Sequence, residues 1–271
     1  VEYRLIKKVE NPKYSFILPI SRDWAILEIF KYLHSAILPY EETEMVFYVD
    51  EVRMDVLEMV YMQAGLLQMA KKFNGMRIYT SGTKPYDDNF VVEARRKRII
   101  RNWNEIKGYL SDTEITMGLE DDTIPPFWAY KELRKEIEMY GKGFAQGIEA
   151  GRWGIEYIGA HRIKTDWQGQ AEEVETIEDP GQRQVEIQGG GFYCFATKTK
   201  LIKEANFRDE AECLGPDVNF VLDIHRKGYE CSADGRIRCT HLRREGKPIE
   251  ISETITKVGW KKENGIWKRT F

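Results

Sequence analysis

The chain has 271 residues, 42% of them hydrophobic and 31% charged, with a formal net charge of −3. That length carries one large α/β domain or two small ones, and so near-neutral a balance excludes a global pull toward nucleic acid or anionic lipid. No apolar run approaches the roughly 18–20 residues that span a bilayer, and the opening stretch, with Glu2, Arg4, Lys7 and Lys8, does not read as a signal peptide; a soluble, cytoplasmic protein is expected, with peripheral membrane contact left open.

Residues 14–20 (YSFILPI) read as a buried strand, and Ser21 as the cap of a helix over about 22–37. A second strand covers 44–50 (EMVFYVD), followed by a helix over about 52–73. The third strand is 75–80 (GMRIYT). A polar loop at 81–89 leads to a long helix, about 90–110, and residues 114–122 form a fourth strand. Strands and helices alternating in this way argue for a parallel sheet with helices on both faces. Ligands of such sheets bind outside the carboxyl ends of the strands. Asp50, Glu120, Asp121 and Asp122 therefore fall on one rim.

The second half changes character. A helix over about 127–140 precedes Gly-rich extended segments at 143–164. Residues 165–184, with Glu172, Glu173, Glu175, Glu178 and Asp179, read as a polar surface loop. A strand at about 184–188, the turn Gly189-Gly190-Gly191, a strand or turn at 192–196 and a helix at about 198–205 follow. Another helix runs from about 216 to 227 with Gly228 as its C-cap, and 229–242 reads as a hairpin around Asp234-Gly235. Cys194, Cys213, Cys231 and Cys239 include no C-x-x-C pair, which argues against a zinc ribbon or a redox motif. Free buried thiols are expected, with Cys231 and Cys239 as possible cross-strand neighbours on the hairpin.

The acidic run at 120–122 carries the most chemistry. In a strand, side chains two apart share a face, so Glu120 and Asp122 point together and Asp121 points opposite. Like charges held that close repel unless a cation sits between them. Hard oxygen ligands of this kind suit Mg2+ or Mn2+. The plainer origin is a helix start, with Thr123 as N-cap, Pro125 and Pro126 in the first turn, and the acids favoured by the helix dipole.

The order of features goes beyond one motif. A strand ends Pro19-Ile20-Ser21, and a second ends in Asp50. A helix carries Arg98, Arg101 and Asn102. Then come Glu120-Asp121-Asp122, the turn Gly189-Gly190-Gly191-Phe192, Gly215-Pro216-Asp217 opening a helix, and a segment ending in His241. This order resembles glycosyltransferases of the GT-A fold, in particular the large inverting family that includes many bacterial polysaccharide and cell-surface transferases. The resemblance covers about residues 14–242, and 215–241 (GPDVNFVLDIHRKGYECSADGRIRCTH) is its most specific part.

The resemblance implies a Rossmann-like α/β fold: a mainly parallel sheet with helices on both faces, and a smaller mixed sheet on the acceptor side. Residues 1–122 would be the nucleotide-sugar half, 123–242 the acceptor and catalytic half, and 243–271 a basic, aromatic tail. Asp122 would bind a divalent ion, Mn2+ or Mg2+, with His241 as a ligand of the metal or the diphosphate and Glu120 or Asp121 toward the metal's water shell or the donor ribose. Pro19, Ile20, Ser21, Asp50, Arg98, Arg101, Asn102 and Asp121 would contact a UDP- or GDP-sugar donor. Gly189, Gly190, Gly191 and Phe192 would form the loop under the reacting sugars. Asp217 would be the base that deprotonates an acceptor hydroxyl. Three departures stand out: Glu120 replaces the commoner Asp, Pro216 interrupts the usual acidic pair, and Ser21-Arg22-Asp23 replaces an expected Asn or Thr.

Beyond Leu242, basic residues alternate with Trp260, Trp267 and Phe271. Such a tail can grip an anionic acceptor, DNA or a membrane surface; it can equally pack its Trp residues on the domain while Lys and Arg stay solvated. A sugar-nucleotide nucleotidyltransferase and a non-catalytic nucleotide- or glycan-binding protein are the rival readings. The acceptor is left open among a glycan, a lipid carrier and modified DNA.

Overall fold

A run as apolar as YSFILPI must be covered on both faces. Phe16, Leu18 and Ile20 do enter one buried cluster, while Ile17 enters another. The computed structural model describes residues 3–7, 11–49, 54–73, 75–81, 92–149, 158–209, 214–244 and 259–270. In chain order the strands are β1 (Tyr3–Lys7), β2 (Tyr14–Ile20), β3 (Thr43–Val49), β4 (Gly75–Thr80), β5 (Ile115–Leu119), β6 (Thr123–Ile124), β7 (Phe144–Glu149), β8 (His161–Thr165), β9 (Ala171–Thr176), β10 (Gln184–Glu186), β11 (Cys194–Lys198), β12 (Cys231–His241), β13 (Gly259–Glu263) and β14 (Ile266–Arg269). The α-helices are α1 (Ile26–Ser35), α2 (Met54–Met69), α3 (Val92–Ile106), α4 (Ala129–Glu138), α5 (Thr199–Glu204) and α6 (Pro216–Arg226).

The main sheet has the order β1-β4-β3-β2-β5-β11-β7-β12-β10, with β6 added on β12. β3 is parallel to β2 and β4, β5 to β2, and β12 to β7. β11 runs against both β5 and β7. So β2, β3, β4, β5, β7 and β12 all point one way, and their carboxyl ends share a rim with the start of β11. Helices α1, α2 and α4 bury Phe30, Val60 and Leu133 on one face. Helices α3, α5 and α6 bury Trp103, Ile202 and Phe220 on the other. The expected two-sided α/β sheet is present.

Several local expectations are overturned. Ser21 caps no helix: a short 3-10 turn follows without a side-chain cap, and α1 starts only at Ile26. The fourth strand stops at Leu119, and Glu120, Asp121 and Asp122 lie in a turn closed by Thr123 N–H to Glu120 C=O at 3.3 Å. Thr123 is not an N-cap. It pairs with His241 as β6, and its hydroxyl donates to Glu149 at 2.6 Å. The polar loop at 165–184 contains β9, whose Ala171 and Val174 face inward.

Residues 229–242 form no hairpin. β12 is one strand with a large bulge: from Ala233 to Arg238 it advances five residues while β7 advances from Gln146 to Ile148. Gly147 sits opposite, where a Cβ would meet Ile237 O at 2.8 Å; a glycine is what lets the bulge fold against β7. Cys231 and Cys239 therefore lie along a single strand, and with Cys194 they are buried free thiols.

The smaller sheet, β14-β13-β9-β8, is antiparallel throughout. Its Ile163, Ala171 and Val174 pack on Leu214, Val218 and Leu222 around α6, with Trp260 and Trp267 against the same cluster. Two tail lysines pair with acids: Lys261 with Glu173 at 3.4 Å and Lys268 with Glu263 at 2.9 Å. A bridge between His161 and Gly189 ties this sheet to the glycine turn. Among the described residues no helix is long and apolar enough to cross a membrane.

His161 gives this junction a pH dependence. It is buried, and burial lowers its pKa from 6.5 to about 4. Between those values the unfolded chain binds the proton that the folded chain excludes, so stability falls as pH falls. At about 1.4 kcal/mol per unit the loss is on the order of 3 kcal/mol across the window. His161→Gln should flatten the decline in Tm between pH 6.5 and 4 relative to wild type. Parallel declines in both proteins would place the acid sensitivity elsewhere.

Candidate functional site

The parallel strands deliver their last residues to the rim, and backbone pairing there fixes which side chains meet. β6 pairs with the end of β12, with Thr123 opposite His241 and Leu242 N–H on Asp122 C=O at 2.7 Å. That ladder sets Asp122 and His241 side by side, with Oδ2 and Nε2 3.2 Å apart. Glu149, the last residue of β7, lies behind them, its Oε1 3.7 Å from His241 Nδ1. All three side chains are almost completely buried. Burial, then the charges of Glu120 and Asp122, push the Glu149 carboxyl well above its ordinary pKa, against the Thr123 hydroxyl bond.

The turn after β2 closes the other side. Asp121 Oδ2 accepts the backbone N–H groups of Ser21 at 2.6 Å and Arg22 at 2.7 Å, and Asp121 Oδ1 accepts from the Arg22 guanidinium. Arg22 Nε also lies 3.2 Å from Asp122 Oδ2. Burial opposes the guanidinium charge, but Asp121, Asp122 and Glu120 outweigh it and hold Arg22 protonated more firmly than usual. The alternation expected for 120–122 fails here: a turn, unlike a strand, brings Asp121 and Asp122 onto the same guanidinium.

The third component is the glycine turn. Gln146, on β7, accepts from Gly191 N–H at 2.9 Å and donates to Gly159 C=O at 2.8 Å and to the Tyr193 hydroxyl at 2.6 Å. Tyr193 C=O in turn accepts Glu120 N–H at 3.1 Å, joining this turn to the acidic one. A Cβ at Gly190 would collide with Gln146 Oε1, so the close approach demands glycine. Gly189 packs beside Val218, the neighbour of Asp217 at the start of α6. Asp217 is half-buried and takes Val218 N–H at 3.0 Å. Burial raises its pKa, opposed by that N–H and by Arg96 on α3.

No family model matches the sequence, and no curated protein matches it. Solved structures do match. S. aureus TarS 1–349 in complex with UDP-GlcNAc aligns with a TM-score of 0.50 at 14% identity, over 90% of this chain and 62% of that one. The mannosyltransferase PcManGT from Pyrobaculum calidifontis, with GDP-Man and Mn2+, aligns at 0.54 and 11% identity, over 84% and 58%. GalNAc-T7 with UDP, GalNAc and Mn2+ aligns at 0.58 and 8% identity, over 88% and 45%. The fold is GT-A. The chain spans about half the length of these three structures, and at such identities the likeness is one of fold.

On this GT-A scaffold the remaining expected residues are distributed unevenly. Ser21, Asp121, Asp122, His241, Gly191 and, through its backbone, Glu120 meet at the rim. Pro19 is half-buried just before it, whereas the side chains of Ile20 and Phe192 point into the core, Phe192 with its ring 4.4 Å from Trp103. Asn102 is buried on α3, where Arg101 donates to it at 3.4 Å, and Arg98 is half-buried nearby. Asp50 lies outside the described residues. Glu149, Gln146 and Tyr193 were not singled out from the sequence, and Arg22 stood out only within the departure Ser21-Arg22-Asp23. Glu149 closes a strand as Asp50 was expected to, so the same strand-end logic could have found it.

The donor set bears on a divalent ion. Among the described residues no trio of His, Cys, Asp or Glu is arranged to hold a metal alone. Asp122 and His241 could offer an oxygen and an imidazole donor, and two ligands at about 2.1 Å in adjacent octahedral positions are about 3 Å apart. Their 3.2 Å separation fits such a pair.

Gln146→Leu tests how the turn is held. It strips Gly191 N–H of its buried acceptor, at a cost of about 1–3 kcal/mol. A lower Tm and faster amide exchange at residues 189–193 are expected. Unchanged exchange there would show that the turn is held without Gln146.

Proposed function

We propose that the protein is a glycosyltransferase that moves a sugar from a nucleotide-diphosphate donor of the UDP or GDP type to an acceptor hydroxyl. The observation that carries this reading is the convergence of Asp122, His241, Arg22 and the glycine turn on one rim of a GT-A sheet, with Asp217 beside that turn. The neighbours in complex with nucleotides, nucleotide sugars and Mn2+ support the same class of donor.

In this reading residues 1–122 hold the donor and 123–242 the acceptor. Asp121 fixes the Ser21–Arg22 turn so that its backbone faces the nucleotide. Asp122 and His241 would hold Mn2+ or Mg2+, which supplies charge to the departing diphosphate. Asp217 takes the proton of the acceptor hydroxyl as its oxygen bonds to the anomeric carbon, and the bond to the diphosphate oxygen breaks on the opposite side, inverting that carbon. Burial suits Asp217 to this work, because a carboxylate with a raised pKa is a stronger base.

A thermal-shift panel of UDP- and GDP-sugars with and without Mn2+ tests the binding. A matching donor at 100 times its Kd stabilises by about 2.7 kcal/mol, and no shift with any nucleotide diphosphate would sink the proposal. Asp217→Asn should keep that shift while turnover drops by about 10²–10⁴-fold. Equal turnover would remove Asp217 from the chemistry, and no turnover in either protein would favour a binding protein on the same scaffold. The acid limb of kcat/KM should lie above the ordinary Asp value of 3.8, because the base works only when deprotonated.

A further inference from the structure

Asp122 Oδ2 serves two neighbours. His241 Nε2 stands 3.2 Å away on one side and Arg22 Nε 3.2 Å away on the other. The first has the spacing of a ligand pair; the second is a fixed positive charge on the same oxygen. A divalent ion and a guanidinium held there together would repel strongly in so dry a pocket, where Asp121, Asp122 and His241 are 3–4% exposed.

Asp121 holds both parts of Arg22 but on different oxygens, the backbone on Oδ2 and the guanidinium on Oδ1. Asp121 Oδ2 fixes the Ser21 and Arg22 N–H groups. The guanidinium can leave Asp122 without undoing that turn. It is also the open member of the cluster, with 22% of its side chain exposed. A guanidinium matches two phosphate oxygens as well as it matches two carboxylates.

We propose that Arg22 is a displaceable internal cation that closes the Asp122–His241 pair to divalent ions until a nucleotide diphosphate arrives. The diphosphate draws the guanidinium onto its own oxygens, and the ion then binds between Asp122, His241 and the diphosphate. Metal and nucleotide binding are thereby coupled, each raising the affinity of the other by the same factor. This rests on the metal-dependent reading given under Proposed function.

Mn2+ itself is the probe, followed by electron paramagnetic resonance or calorimetry on the full chain, with and without UDP and GDP. Wild type should bind Mn2+ weakly alone and at least tenfold more tightly with the matching diphosphate. Arg22→Gln should bind Mn2+ alone at least tenfold more tightly than wild type, with the coupling reduced toward one; a purely structural role for Arg22 would not raise metal affinity. If Arg22→Gln does not fold, Arg22→Lys carries the test, because lysine lacks the Nε contact to Asp122 and should weaken the coupling. Equal Mn2+ affinity in wild type and variant, with Asp122→Asn abolishing it, overturns the lock and leaves the metal reading standing. No Mn2+ binding by any protein, even with both nucleotides, overturns both.

Discussion

Six strands running in one direction are the constraint on which the rest of the structure depends. Once β2, β3, β4, β5, β7 and β12 share a direction, their carboxyl ends must share a rim. Helices cover both faces, so polar chemistry has nowhere to go but the edges. The reversed strand in the middle of the sheet, β11, strengthens the arrangement, because its beginning rather than its end reaches the rim and brings the glycine turn with it. Residues far apart in the chain, from Ser21 to His241, thus meet without any long loop being needed to carry them.

Charge at that rim has to be matched within the protein. Glu120, Asp121, Asp122 and Glu149 surround Arg22 and His241 in a region mostly sealed from water. Removing one member of such a set strands its partner, which costs more than the pair contributes when intact. Much of the fixation is done by backbone rather than by side chains. The β6–β12 pairing places Asp122 against His241, and the Ser21 and Arg22 N–H groups orient Asp121. Geometry held this way needs little reorganisation when a charged ligand arrives.

What could be read from the sequence follows from which forces are local. Buried strands such as residues 14–20 and 75–80 were legible to the residue, because short segments rich in apolar and β-branched residues between turn signals have few other solutions. That Asp122 and His241 would come together was legible through the order of features. The errors arose where tertiary pairing overrode local pattern. Asp234-Gly235 looks like a hairpin turn, but β7 with its Gly147 accepts a bulge instead. Thr123 looks like a cap, but Glu149 claims its hydroxyl. Residues 171–176 look like a loop because their burial comes from α6 and from β13, nearly ninety residues further on. Arg22 was visible only as a departure from a family pattern, since nothing local reveals what a lone arginine will face.

The C-terminal hairpin has a consequence for how this fold is reached. β13 pairs with β9 at Gly259 and Glu175, and the Trp residues of the hairpin press on the cluster that contains Val218, next to Asp217. Contacts so distant in sequence must overcome loop-closure entropy before they return any energy, so they belong to the late steps of folding. The main sheet carries the same burden, since Tyr14 pairs with Ile115 and Thr123 with His241, each further apart in sequence than Gly259 and Glu175. Among the described strands the longest-range pairing, Thr123 with His241, is the one that sets Asp122 beside His241, so this rim closes only when those two distant segments of the chain have come together.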